Sequence, residues 1–270
     1  MNPLKKLLGQ TAIYGLSSIV GRLLNYLLVP LYTRYFTTSE YGDVTIMYAY
    51  AAFLLIILSY GLETAFFRFS QIEPNKRVVF STAFISLLFS SSFFVGLIYF
   101  NSQSIANALS FGQHPEYIQY FAFIIGLDTL SSIFFAKLRE NNQATRFALI
   151  RLLNIFINIG LNLLFIIYCP FAITNNLPTA DFIQGFYSPD FGIGYIFIAN
   201  LVATVVTFLM LLPEMSQFIW RFDKVLWRKM MVYALPLMVA GLAGITNETI
   251  DRILLQHLLP EDISASEIGL

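Results

Sequence analysis

Residues 76–100 read KRVVFSTAFISLLFSSSFFVGLIYF, two cations followed by an uncharged run to Phe100. A helix of about 20 mostly apolar residues crosses the ~30 Å hydrocarbon layer of a bilayer. Val79–Phe100 therefore reads as a membrane span that carries a basic mark at one end. The same test selects Thr11–Thr33, Val44–Phe67, Tyr117–Lys137, Phe147–Cys169, Ile193–Pro213 and Met230–Leu255. Strands are excluded, because an open sheet edge goes unsatisfied in lipid and no alternation of period two runs through these stretches.

The basic marks then order the spans. Of the 16 Lys and Arg residues, all but Arg22, Arg34 and Arg252 fall at or beside alternate joints. Lys5 and Lys6 precede the first span, and Arg68, Lys76 and Arg77 separate the second from the third. Lys137, Arg139, Arg146 and Arg151 flank the turn between the fourth and fifth, and Arg221, Lys224, Arg228 and Lys229 lie before the seventh. The intervening joints Tyr35–Asp43, Asn101–Glu116 and Pro170–Gly192 hold none. Cytoplasmic loops collect Lys and Arg, so the pattern predicts an all-α, polytopic transmembrane bundle with a cytoplasmic N-terminus. The first apolar stretch continues past Leu31 without a small-residue cleavage site, and is expected to stay as an uncleaved span.

Composition agrees. Hydrophobic residues make up 57% of the chain and charged residues 12%, against roughly 45–50% and 25% in soluble proteins. Net charge is zero, which gives no electrostatic case for a nucleic-acid partner. The single cysteine, Cys169, excludes an internal disulfide and a multi-cysteine metal site. His114 and His257 stand in or near loops with no acid at a catalytic spacing, and no phosphate loop or Ser/His/Asp set is present. No cofactor, metal or enzymatic chemistry is expected. Between spans, Pro170–Gly192 reads as irregular structure, and Glu214–Lys229, with Trp220, Phe222 and Trp227 among four cations, reads as an amphipathic cytoplasmic helix.

An internal echo suggests a repeat. Tyr14-Gly15-Leu16 enters the first span and Ser39-Glu40-Tyr41-Gly42 follows it. Tyr233-Ala234-Leu235 enters the seventh, and Ser266-Glu267-Ile268-Gly269 comes near its end. Two copies that both start from the cytoplasm make a parallel repeat, as in many transporters. The expected organisation is a six-helix lobe over residues 1–213, a linker over 214–229, and the first helix and outer loop of a second lobe over 230–270. The chain is thus expected to be a truncated two-lobe transporter, with a seven-helix protein as the competing reading.

Leu28-Val29-Pro30-Leu31-Tyr32-Thr33-Arg34-Tyr35-Phe36 with Ser39-Glu40-Tyr41-Gly42 resembles the first-helix signature of polysaccharide (oligosaccharide) flippases. Gly61-Leu62-Glu63-Thr64-Ala65-Phe66-Phe67-Arg68-Phe69 is similar to the end of that family's second helix. Ala234-Leu235-Pro236-Leu237, continuing to Ile250-Asp251-Arg252-Ile253-Leu254-Leu255, is similar to its seventh, and Glu267-Ile268-Gly269-Leu270 to the loop that follows. The resemblance implies the multidrug/oligosaccharidyl-lipid/polysaccharide exporter fold. It also implies flipping of undecaprenyl-pyrophosphate-linked oligosaccharide across the bacterial inner membrane, for surface polysaccharides such as lipopolysaccharide. Membrane lipids and other polysaccharide-assembly membrane proteins are the implied neighbours. Two alternatives are a multidrug, MATE-like cation-coupled exporter and a membrane-embedded glycosyltransferase or polymerase of the same pathway.

Charges within spans are the site candidates, since each costs about 2.5–3.5 kcal/mol at a helix centre on insertion scales. Arg22 and Asp128 lie near mid-span. Arg22 is read either as a clamp for an anionic headgroup or as the neutralising partner of Asp128. Asp128 is also the candidate for coupling to a proton or cation, with Asp251 beside it in that role. Asn154, Asn158 and Asn162 continue from Arg151 at spacings of three, four and four, within about 80° around a helix. They are expected to line a sugar-binding cavity or to tie helices together. In the seventh span Glu248 and Arg252 are spaced for an intrahelical pair, and Arg252 joins Arg22 as a headgroup candidate. Glu63 and Arg68 are expected to be structural. Gly241-Leu242-Ala243-Gly244 reads as a close-packing or flexing point.

Overall fold

The computed structural model describes residues 15, 19, 20, 23, 26–109, 111–259 and 261–269. Among them there is no strand, and six runs are long and apolar enough to cross a membrane: Thr38–Ile72, Lys76–Phe100, Pro115–Glu140, Ala144–Thr174, Gly194–Gln217 and Lys224–Asn247. The chain is an all-α multi-pass membrane protein. Most of the first expected span, including Arg22, lies outside the described residues. Its described end is α1, Leu28–Tyr35.

Helix α2, Thr38–Ser59, starts on a capping box in which Thr37 Oγ1 accepts from Glu40 N and the Glu40 carboxylate accepts from Thr37 N at 2.8 Å. Sequence periodicity predicts one span over Val44–Phe67, but the helix breaks inside it. Tyr60 (φ 34°) and Gly61 (φ 70°) both take the left-handed conformation, which closes α2 and restarts the chain as α3, Leu62–Ile72. Apolar content is blind to such a break, because Leu, Ile and Ala are equally apolar on either side of it.

Helix α4, Lys76–Phe100, is capped by Asn75 Oδ1 on Val78 N. A short α5, Ser102–Ala108, leads to α6, Pro115–Glu140, which opens with Pro at the first helical turn. Helix α6 is the axis of the bundle. It packs against α2, α3, α4, α5 and the later helices Ala144–Leu163 and Gly194–Leu211, and 78% of its most apolar stretch is buried, against at most 50% in any other span. Next come α7, Ala144–Leu163, a π-helical turn over Leu164–Tyr168, and α8, Cys169–Thr174. The Pro170–Gly192 joint is therefore less irregular than its prolines suggest. It extends the fifth span and adds α9, Ala180–Gln184, and a 3-10 turn, Pro189–Phe191. Helix α10 is Gly194–Leu211.

The expected amphipathic helix over 214–229 does not form. Leu212–Gln217 is a 3-10 turn, 218–223 is not helical, and α11, Lys224–Leu258, begins only after Asp223 caps it. Side chains of the bundle compete for the linker's backbone. Lys137 Nζ donates to Glu214 O, Ser81 Oγ accepts from Ile219 N at 2.9 Å, and Thr82 Oγ1 accepts from Asp223 N at 3.2 Å. Ser81 and Thr82 are fully buried, and their position on α4 dictates the linker's path. Asp223 Oδ1 then accepts from Val225 N and Leu226 N, which starts α11.

Lipid tails are as apolar as leucine, so packing and polar contacts rather than hydrophobic exclusion hold these helices together. At the basic end the core is aromatic: Phe84 lies 5.3 Å from Phe134 and 6.1 Å from Phe80. Around it Lys76 pairs with Glu140 at 2.5 Å, Arg146 with Glu214 at 2.6 Å, and Arg139 with Glu63. At the far end Phe121 and Phe197 meet at 4.8 Å, and Tyr117 packs on Phe197.

Residues 266–269, expected in a loop, belong instead to a helix, α12, Glu261–Gly269, which lies against α2. A Cβ on Gly42 would overlap the carbonyl of Ala265, and one on Gly269 would overlap the carbonyl of Thr38. Thr38 directly precedes Ser39-Glu40-Tyr41-Gly42, and Ala265 directly precedes Ser266-Glu267-Ile268-Gly269. The two copies of the echoed tetrad touch through equivalent residues, as two halves related by a local two-fold do.

Candidate functional site

Inside the bundle, polar side chains on α1, α2, α6, α7 and α10 form a ladder of separate hydrogen-bonded sets at membrane depth. Asn154 Nδ2 donates to Thr207 Oγ1 at 2.9 Å. Asn162 Nδ2 donates to Asn158 O at 2.8 Å and to Asn158 Oδ1 at 3.1 Å, while Tyr32 OH donates to Asn162 Oδ1 at 3.0 Å. On the neighbouring face Asn200 Nδ2 donates to Tyr48 OH at 2.7 Å and Thr204 Oγ1 to Asn200 Oδ1 at 3.4 Å. Asp128 lies close to Thr204 and in the field of Arg151, whose guanidinium sits 4.2 Å above the Phe135 ring. A carboxylate in this setting needs such company, because an unpaired charge at membrane depth is costly.

The ladder divides by access. Arg151 is exposed, and Asp128, Asn154 and Asn158 are half-buried. Asn162 is fully buried, with its amide donating to Asn158 and its carbonyl accepting from Tyr32. It ties α1 to α7, directly before the π-helical turn. Among the described residues the cation that acts on Asp128 is Arg151; the expected pairing with Arg22 lies outside the described residues. Arg252 is half-buried and Asp251 exposed on α11, both outside the ladder. Glu63 pairs with Arg139, and Arg68 lies 4.3 Å over the Tyr233 ring. His114 is not simply solvated: its Nδ1 lies 2.8 Å from Glu116 Oε1, and its ring stacks on Tyr117 at 4.8 Å.

Tyr32, Tyr48, Asn200, Thr204 and Thr207 escaped the sequence reading. Asn200, Thr204 and Thr207 carried a signal, a second polar stripe spaced four and three along the sixth span. The two tyrosines carried none, since a phenol in an apolar run reads as interfacial aromatic character.

The fold is thus that of a multi-pass helical membrane protein with a polar ladder inside its bundle. Consistent with that class, the model of a known family described as "Polysaccharide biosynthesis protein" matches residues 7–266, and the chain belongs to that family. No curated protein and no solved structure matches it.

Proposed function

We propose that the chain translocates a lipid-linked oligosaccharide repeat unit across the bacterial inner membrane, with its basic end in the cytoplasm. Family membership supports a role in polysaccharide biosynthesis. The observation that carries the finer reading is the composition of the ladder: amides and hydroxyls within the bundle and an exposed guanidinium, Arg151, acting on Asp128. Amides suit sugar hydroxyls, and a guanidinium fork suits the oxygens of a pyrophosphate. On this reading Asn154 and Asn158 meet the glycan, Arg151 the headgroup, and Asp128 sets the charge of Arg151's surroundings. Arg22 and Arg252 remain headgroup candidates, Asp128 and Asp251 coupling candidates, and no bond is made or broken.

The cation-exporter reading calls for free carboxylates in the cavity. Glu63 is engaged with Arg139 at the basic end and Asp128 lies in the field of Arg151, which favours the glycan reading. The test is a deletion strain supplied with the wild-type gene or with Arg151→Ala. Wild type is expected to restore surface glycan, and Arg151→Ala to reduce it at least tenfold at equal protein level, with lipid-linked repeat units accumulating. A deletion that leaves surface glycan intact but sensitises cells to cationic drugs would overturn the proposal.

A further inference from the structure

At the basic end, the loop before α4 and the linker before α11 meet around a pocket of about 210 Å³. Glu73 lines it from the loop, Arg221 and Asp223 from the linker, and Val225 and Lys229 from the start of α11. The membrane-crossing runs of α4 and α11 begin here, at Lys76 and Lys224, so the pocket lies where hydrocarbon gives way to headgroups. Its charges are of both signs. Asp223 is engaged by the N–H groups of Val225 and Leu226. Among the described residues none of Glu73, Arg221 and Lys229 forms an ion pair, although they share the wall of one small pocket. The linker's path keeps them so: Ile219 N and Asp223 N are bonded to the buried Ser81 and Thr82, which fixes Arg221 between two tethered points.

An apolar track leaves the pocket. Val225, Val232 and Val239 are spaced by seven, which places them on one face of α11, and they are 68%, 70% and 62% exposed. The track is about 21 Å long, more than the ~15 Å that one leaflet contributes to the hydrocarbon core. Trp220, next to Arg221 and 85% exposed, is an aromatic anchor of the kind found at headgroup level. Cations beside such a track suit a phospholipid better than a soluble anion. A headgroup with phosphate alone would use Arg221 and Lys229 but leave Glu73 facing a like charge. A headgroup that joins a phosphate to a primary ammonium meets all three side chains.

We propose that this pocket binds a phospholipid with a phosphoethanolamine headgroup, from the leaflet at the basic end. Arg221 and Lys229 hold the phosphate, Glu73 accepts from the ammonium, and an acyl chain lies along the valine track. The chain's two tryptophans, Trp220 and Trp227, both lie in the segment that forms one wall, and their fluorescence reports on the site. The full chain is placed in phosphatidylcholine nanodiscs and titrated with phosphatidylethanolamine, phosphatidylglycerol or phosphatidylcholine carrying brominated acyl chains, which quench nearby indoles. Phosphatidylethanolamine is expected to bind about tenfold more tightly than either other lipid, the factor that one charge-assisted hydrogen bond supplies. Phosphatidylcholine has no N–H to give Glu73, and phosphatidylglycerol has no cation. Glu73→Gln should remove the preference over phosphatidylglycerol, and Arg221→Gln combined with Lys229→Gln should weaken binding of phosphatidylethanolamine. Glu73 is half-buried and the two cations are exposed, so an unchanged thermal midpoint is expected in each variant. A wild-type preference below threefold would mean ordinary boundary lipid and overturn the site. So would a preference above threefold that persists in Glu73→Gln, or binding within twofold of wild type in the double variant. The pocket is separate from the polar ladder, so its failure leaves the transport reading standing.

Discussion

At the scale of single residues, the amides of α7 separate into two kinds. Asn162 is sealed between Tyr32 and Asn158, so Asn162→Ala leaves the buried Tyr32 phenol without its acceptor. A loss of about 1–3 kcal/mol is expected, read as a lower midpoint of thermal unfolding in detergent. Asn154 is half-buried and bonded to Thr207. A double-mutant cycle of Asn154→Ala with Thr207→Val should give a coupling of only about 0.6 kcal/mol, typical of interhelical hydrogen bonds in membranes. Glycan export should fall much further in Asn154→Ala than stability does. Glycines divide in the same way. Nothing lies within 4 Å of a Cβ added at Gly96, so Gly96→Ala should be neutral or stabilising by about 0.5–1 kcal/mol. Gly42→Val would drive a side chain into the Ala265 carbonyl, and should open the 259–269 segment to protease in intact membranes while Gly96→Ala does not.

Among the elements, the linker departs most from expectation. Its cations and aromatics at helical spacing suggest an amphipathic helix, and the sequence is compatible with one. What redirects it is Ser81 and Thr82 on α4, together with Glu214, which Arg146 pairs at 2.6 Å and Lys137 bonds through the backbone. These contacts join residues more than sixty positions apart, beyond the reach of any local pattern. Glu214→Ala should therefore release the 212–217 turn at a cost of roughly 1.5–3 kcal/mol, the range for a hydrogen bond to a charged group. Faster hydrogen exchange confined to residues 212–223 is the expected signature, and unchanged exchange there would argue against the pinning. The break at Tyr60-Gly61 was hidden for a different reason. Gly61 is an obvious weak point, but a lone glycine within an apolar run is tolerated in membrane helices, and only the close approach of Ala234 calls for a left-handed turn there.

For the whole molecule, the basic end and the far end differ in charge, and that asymmetry carries the orientation. Cysteines placed at Arg77 and Lys224 should react with an impermeant maleimide only in inverted vesicles, and cysteines at Gln113 and Asp190 only in intact cells. The opposite labelling would reverse the topology. Sequence alone was sufficient for the class, the number and order of the later spans and the basic asymmetry, because each rests on hydrophobic length and composition, which the bilayer reads locally. It also marked Asn154, Asn158, Asn162 and Asp128, because a polar group in an apolar run has to be satisfied somewhere. Which group satisfies which was decided by the tertiary structure. Asp128 comes into the field of Arg151, Asn162 finds Tyr32, and the tetrad at Ser39 meets its echo at Ser266, because helix packing alone sets which faces meet across the bundle.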